Sequence, residues 1–219
     1  MTELDSPRAD ETTPAVRRGR GRPRDPQLED RALEATLAVF GDKGWVGLTI
    51  DEVAARALVG KSSIYLRWKD KETLLAAALR HLQRRPETTA DAAQTPAEPS
   101  LRDYLVDHAT RRADLYLGPH GLAMMRLYIE TWAFPTVFAD IRREALTAYV
   151  LQERRRVESA IRTGELPPHA SAVQLLDAIE GAVLIHVIVT PPDLLDRVRR
   201  NLPAYIEQLV ENQLRAMTG

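Results

Sequence analysis

Leu48 to Leu75 reads LTIDEVAARALVGKSSIYLRWKDKETLL, and the interpretation of the whole chain turns on it. Thr49 stands three residues before Glu52, the spacing of a capping box, so a helix begins there. Ile50, Val53, Ala54 and Ala57 recur at helical spacing and give it one short apolar face. The pattern breaks at Leu58-Val59-Gly60. Gly60 is an acceptable N-cap, and a second short helix, Lys61 to Trp68, follows with Ile64 and Trp68 directed inward. Asp70 caps a third helix, with Glu72 in its first turn, where a negative charge suits the dipole. Two short helices joined by a tight turn have the form of a helix-turn-helix, whose second helix lies in the DNA major groove.

The outward positions of that second helix are Lys61, Ser62, Ser63, Tyr65 and Arg67. They are hydrogen-bond donors, and the serines are small enough for a helix to approach base edges. Lys69 and Lys71 follow, placed to neutralise phosphates. A solvated basic helix pair would show the same spacing, so charge elsewhere has to decide.

The net charge of -1 conceals an asymmetry. Residues 1–16 hold one Arg against four acids, residues 17–85 hold 15 Lys or Arg against 9 acids, and residues 86–219 hold 14 against 18. Positive charge is concentrated around the helix-turn-helix, as phosphate attraction requires. Within it, Arg17-Arg18-Gly19-Arg20-Gly21-Arg22-Pro23-Arg24 cannot be helical, because Gly and Pro interrupt it. Such an arm suits a narrow minor groove, with Arg20, Arg22 and Arg24 as candidate contacts. Arg20-Gly21-Arg22-Pro23 also resembles the core of an AT-hook.

With no cysteine among 219 residues, disulfides, thiolate zinc sites and thiol nucleophiles are excluded. No apolar run approaches the roughly 18 residues of a membrane span, and the N-terminus is not signal-like. A soluble, cytoplasmic protein is expected. Leu28 to Phe40 forms the first ordered helix, closed by Gly41 and Gly44. A helix from Lys71 to about Arg85 leads into a linker at residues 86–99. Beyond it every segment reads as helix: one from Leu101 to Gly118, one through Leu122, Met125, Tyr128, Ile129 and Trp132, and a long one from Thr136 to Thr163. Residues 173–189 are apolar nearly all round, and residues 193–217 form the last helix, with Pro203 inside it. The fold class is all-α.

Residues 32–75 resemble the DNA-binding head of the TetR family of bacterial transcriptional regulators. The resemblance rests on Phe40, Gly44, Thr49, Ile50, Val53, Ala54, Ala57, Val59, Ile64, Tyr65, Trp68, Lys71, Glu72, Leu74 and Leu75. It implies a flexible arm with an arginine-rich stretch (1–26), a three-helix helix-turn-helix DNA-binding head (27–75) and a C-terminal helical bundle for ligand binding and dimerisation (76–219). Thr49, Tyr65 and Lys71 would contact phosphates, while Lys61, Ser62 and Ser63 would meet base edges. The implied partners are a double-stranded DNA operator, a small-molecule effector of unknown identity, and a second copy joined through residues 173–189 and 193–217. Candidate effector-pocket residues are Tyr104, His108, Met124, Met125, Tyr128, Trp132, Phe134 and Phe138. His186 reads better as a satisfied interface or core histidine.

One departure stands out. Leu58 occupies the position where the family's turn commonly has glycine, and Gly60 the position of a capping Ser or Thr. If the turn requires positive φ, leucine costs on the order of 1 kcal/mol or more there.

Two other readings compete. An all-α enzyme with a basic N-terminal appendage would need chemistry, yet no His has an acid three residues before it, and there is no His-Glu-x-x-His, phosphate-binding glycine loop or nucleophile elbow. No catalytic residue, metal site or cofactor is assigned. An architectural minor-groove protein would use the arginine arm alone and tolerate changes at Lys61 and Tyr65.

Overall fold

A computed structural model describes residues 27–83 and 99–218, and every regular element among them is helical. Arg20, Arg22 and Arg24 and most of the linker lie outside the described residues. The head comprises α1 (Leu28–Gly47), α2 (Ile50–Ala57), α3 (Lys61–Tyr65) and α4 (Lys71–Gln83). Helix α1 runs past the glycines expected to close it. Gly44 leaves the helical path at φ 67°, ψ -172°, but Leu48 N–H donates to the Gly44 carbonyl at 3.0 Å and one more turn is wound.

The capping signals act as read. Thr49 Oγ1 accepts the Glu52 N–H at 3.2 Å, and Asp70 Oδ1 accepts the Thr73 N–H at 2.8 Å. Helix α3 is shorter than expected, because Leu66 to Trp68 continue as turns with Trp68 N–H donating to Ile64. Ile64 is fully buried and Trp68 nearly so, which ties α3 to the head core; an aliphatic side chain buried to that extent contributes about 1.5–3 kcal/mol.

Helices α5 (Leu101–Leu117) and α6 (Gly121–Ala133) follow. The segment expected as one helix from Thr136 is instead α7 (Ala139–Ile141), a π-helical stretch (Arg142–Thr147) and α8 (Ala148–Thr163). Then come α9 (Ala172–Ile188), a 3-10 turn (Pro192–Leu194) and α10 (Leu195–Thr218). α9 packs on α5, α8 and α10. It is not buried all round: Val173, Ile185 and Ile188 are exposed in the single chain, as is Val189 just beyond it.

Two cores result. One gathers Leu37, Phe40, Leu48, Ile64, Leu74 and Leu79 of the head with Met124, Leu127, Phe138 and Ile141 from beyond the linker. The other joins α5, α8, α9 and α10 around Leu105, Leu175, Ile179, Val183, Ile206 and Val210. Helix α6 faces differently from its sequence reading: Leu122, Ile129 and Trp132 are exposed, while Ala123, Met124, Leu127, Glu130 and Thr131 are buried. The helix is apolar on several sides, so spacing alone does not select a face.

Candidate nucleic-acid interface and helical cleft

The turn between α2 and α3 sets the direction of α3. Leu58 sits at φ 56°, ψ 42°, the sole non-glycine residue with positive φ among the described residues. Its side chain is 87% exposed, so packing does not repay the strain. Gly60 caps α3 from an extended conformation without a side-chain hydrogen bond.

Around α3, Thr49, Lys61, Ser62, Tyr65, Arg67 and Lys69 are exposed and Ser63 is half-buried. Several are already engaged. Lys61 Nζ pairs with Asp51 at 2.6 Å, and Arg67 folds back to donate to the Ser63 carbonyl at 3.0 Å. Lys71 is half-buried: its ammonium donates to the Trp45 carbonyl at 3.0 Å and lies 3.9 Å from the centroid of that indole. The Lys61–Asp51 pair is exposed, and such pairs contribute about 0–1 kcal/mol, so a phosphate can displace the carboxylate. Sequence reading passed over Leu66, which projects from the end of α3 at 83% exposure. Two positions on from the inward Ile64 and two before the inward Trp68, it falls on the outer face by helical spacing.

The far side of the head is held by α6. Arg126 Nε donates to the Gly41 carbonyl at 2.8 Å and its Nη2 to Asp42 O at 3.2 Å, while Glu130 accepts the Trp45 N–H at 3.1 Å. Glycine suits the φ of 67° at Gly44, and a Cβ there would lie 2.4 Å from the Glu130 carboxylate and push that side chain off its bond to Trp45. A second strut joins Arg80 of α4 to Glu144 of the π segment at 3.3 Å.

On the other side of α6 lies a cleft of about 280 Å³ between α6, the π segment and α8. Of the expected effector residues, only Tyr128 and Trp132 line it. Met124 and Phe138 are buried in the core shared with the head, and Phe134 packs against it; Phe138 stacks edge-on to Trp45, with centroids 5.3 Å apart. Met125 packs on the second core. Tyr104 and His108 enter a buried polar array: Tyr104 OH donates to Glu153, and His108 Nδ1 lies 3.0 Å from the same carboxylate and 3.3 Å from Tyr149 OH. Burial opposes the charge on Glu153, but the hydrogen bonds from His108 and Tyr104 win and hold its carboxyl below the usual range. Burial, together with that carboxylate, pushes the Tyr104 phenol above its ordinary value. Arg112, 7% exposed, pairs with Glu180 and donates to Tyr116 and Tyr128. Burial alone would lower its pKa; the Glu180 carboxylate together with Tyr128, Tyr116 and Tyr149 outweighs that, and the guanidinium stays charged. His186 stacks on Tyr205 with centroids 4.3 Å apart.

The cleft's remaining lining includes Arg142, Leu146, Thr147, Val150, Leu151 and Arg154, none of which sequence reading selected. A π-helical stretch is a known companion of functional sites, but no residue pattern marks one in advance. Among the described residues no group of His, Asp or Glu is arranged to hold a metal, and no single helix is long and apolar enough to cross a membrane.

Comparison with known proteins agrees with this architecture. Residues 32–78 match the model of bacterial regulatory proteins of the tetR family, and residues 95–211 match the tetracyclin repressor-like C-terminal domain. The uncharacterized HTH-type transcriptional regulator YdeS of Bacillus subtilis (strain 168) is 25% identical over 198 residues, 90% of this chain and 93% of its own length. An uncharacterized HTH-type transcriptional regulator in the dhlA 5' region of Xanthobacter autotrophicus is 30% identical over 193 residues, 82% of this chain and 89% of its own. The crystal structure of a TetR family transcription regulator from Marinobacter aquaeolei VT8 superposes with a TM-score of 0.63 at 19% identity, covering 88% and 96% of the two chains. With both its head and its helical bundle matched, the chain belongs to the TetR family of DNA-binding transcriptional regulators.

Proposed function

We propose that this regulator binds a palindromic operator as a homodimer, represses transcription there, and releases the DNA when a small molecule enters the cleft beside α6. The observation that carries the reading is the double duty of α6: Tyr128, Thr131 and Trp132 line the cleft, while Arg126 and Glu130 grip the head. The π segment has the same character, because Arg142, Leu146 and Thr147 line the cleft and Glu144 reaches α4. A ligand that shifts either element shifts the head with it. By linkage, effector and operator then weaken each other equally, typically by about 1–3 kcal/mol.

In this reading residues 27–75 form the DNA-binding head and 76–219 the regulatory and dimerisation domain. Lys61, Ser62 and Ser63 approach base edges, Thr49, Tyr65, Arg67, Lys69 and Lys71 position the head on phosphates, and Arg20, Arg22 and Arg24 add minor-groove contacts. The exposed apolar residues Ile185, Ile188 and Val189 favour a second copy seated on α9 and α10. The protein acts in the cytoplasm and carries no catalytic activity.

Selection of bound fragments from random DNA tests the reading. An enriched site with two half-sites about 34 Å apart is expected. An asymmetric single site, or an Ile185→Glu/Ile188→Glu variant that remains dimeric, would refute the dimer geometry. Equal effector affinity for free and DNA-bound protein would refute the coupling.

A further inference from the structure

We propose that the cleft accepts an amphipathic anion, an apolar tail carrying one carboxylate, with Arg142, Arg154 and the Tyr128 hydroxyl receiving the charged head. This inference rests on reading the cleft as the effector site and adds the chemistry of what enters.

Charge is the first ground. None of the nine residues lining the cleft is acidic, and two are arginines. Several arginines of the bundle are ion-paired, among them Arg112 with Glu180, Arg143 with Asp140, Arg156 with Glu165 and Arg199 with Asp196. Arg142 and Arg154 have no ion-pair partner among the described residues; Arg142 instead lies over the Trp132 ring, 5.6 Å from its centroid. Two cations without an ion-pair partner on an otherwise acid-free lining repel a cationic ligand and leave a neutral one indifferent, whereas they favour an anion.

Polarisation is the second. Arg112 donates a charge-assisted hydrogen bond to Tyr128 OH. A phenol that accepts such a bond is a stronger hydrogen-bond donor through its own O–H, for which the Tyr116 hydroxyl at 3.3 Å is the competing partner. The hydroxyls of Thr131 and Thr147 add further donors on the lining, although Thr131 already donates to the Tyr128 carbonyl at 2.8 Å. Arg154 also borders a small recess that holds carboxylates, where Glu153 is satisfied by Tyr104 and His108 and Glu180 by Arg112; Asp177 is exposed there.

Shape is the third. The remaining lining is apolar, through Leu146, Val150, Leu151 and the exposed Trp132. A volume of 280 Å³ holds about nine waters, close to the bulk of a chain of about ten carbons.

Calorimetry on the full chain, with decanoate, 1-decanol and decyltrimethylammonium below their micelle-forming concentrations, tests this. Decanoate is expected to bind at one site per chain, decanol at least tenfold more weakly, and the cation not at all. Arg142→Gln and Arg154→Gln are each expected to weaken decanoate at least fivefold. Decanol or the cation binding as well as decanoate would overturn the proposal, as would undiminished decanoate binding by the double variant. The ligand series on unaltered protein decides even if a variant folds poorly. Decanoate that binds but leaves DNA affinity untouched would sustain the anion site and sink the effector reading. DNA release by a neutral compound that binds this cleft more tightly than decanoate would do the reverse.

Discussion

The carboxylate of Glu130, in the middle of α6, accepts the backbone N–H of Trp45 at the end of α1 at 3.1 Å. The two residues are 85 positions apart and both are nearly buried. Together with Arg126 on the Gly41 and Asp42 carbonyls, this bond fixes the end of α1, and so the start of the helix-turn-helix, to the C-terminal helical bundle.

Glu130→Ala leaves the Trp45 N–H buried without its acceptor. A loss of about 1–3 kcal/mol is expected in urea unfolding. Gly44→Ala should destabilise as well, since φ is 67° and the new Cβ would stand 2.4 Å from Glu130 Oε1. Either variant unfolding at the same urea concentration as the parent would show that the clamp is dispensable.

Leu58 offers the opposite change. It is strained at φ 56° and packs against little. Leu58→Gly relieves roughly 1–2 kcal/mol of backbone strain and returns part of it through the freer unfolded chain. The expected net gain is about 0.5–1 kcal/mol, a rise in Tm of about 1–4 °C for a chain of this size. A lower Tm would mean that the leucine makes a contribution its exposure does not reveal.

On the DNA face, Tyr65→Ala should reduce affinity for the selected site at least tenfold without changing Tm, because Tyr65 is exposed and off the core. Lys61→Ala should cost about 1–3 kcal/mol of binding and relax preference at one base position, as expected for a base contact. A uniform loss across sequences, with the salt slope reduced by about one, would move Lys61 to the phosphates instead. Asp51→Ala removes the carboxylate that Lys61 now pairs with, so DNA affinity should rise.

Acid should weaken the fold through two carboxyls held below their ordinary values. The Asp70 carboxyl is lowered chiefly by the Thr73 N–H it accepts. Glu153 is lowered despite its burial, by the hydrogen bonds from His108 and Tyr104. A depressed carboxyl stabilises fully above its unfolded pKa, here 3.8 and 4.5, and that stabilisation is lost as pH falls through the lower folded value. Asp70→Ala is therefore expected to cost about 1 kcal/mol at pH 7 through loss of the cap, and Glu153→Gln about 1–3 kcal/mol. Both differences in Tm should shrink between pH 5 and pH 2.5. A difference that is constant over that range would assign these residues a role independent of charge.

What the residues decide unaided is local. The caps at Thr49 and Asp70 and the inward Ile64 and Trp68 are written within a few positions of one another, and helix caps and turns are set by such near neighbours; the positive φ at Leu58 is not, since leucine disfavours it and only the likeness to a turn that commonly has glycine raised it. The all-α class follows from the same short-range periodicity. What depends on distant partners was not legible. Helix α6 is apolar on several sides, and only packing against α1 chose Glu130 for burial and left Trp132 at the cleft. Phe134 and Phe138 look like pocket aromatics in sequence, but the core of the head claims them. Arg142 and Arg154 resemble the other surface arginines until the π segment and α8 bring them to one cleft without carboxylate partners. Charge and hydrophobicity are properties of a residue; which face is covered, and which cation lacks a counterion, are properties of the assembled helices.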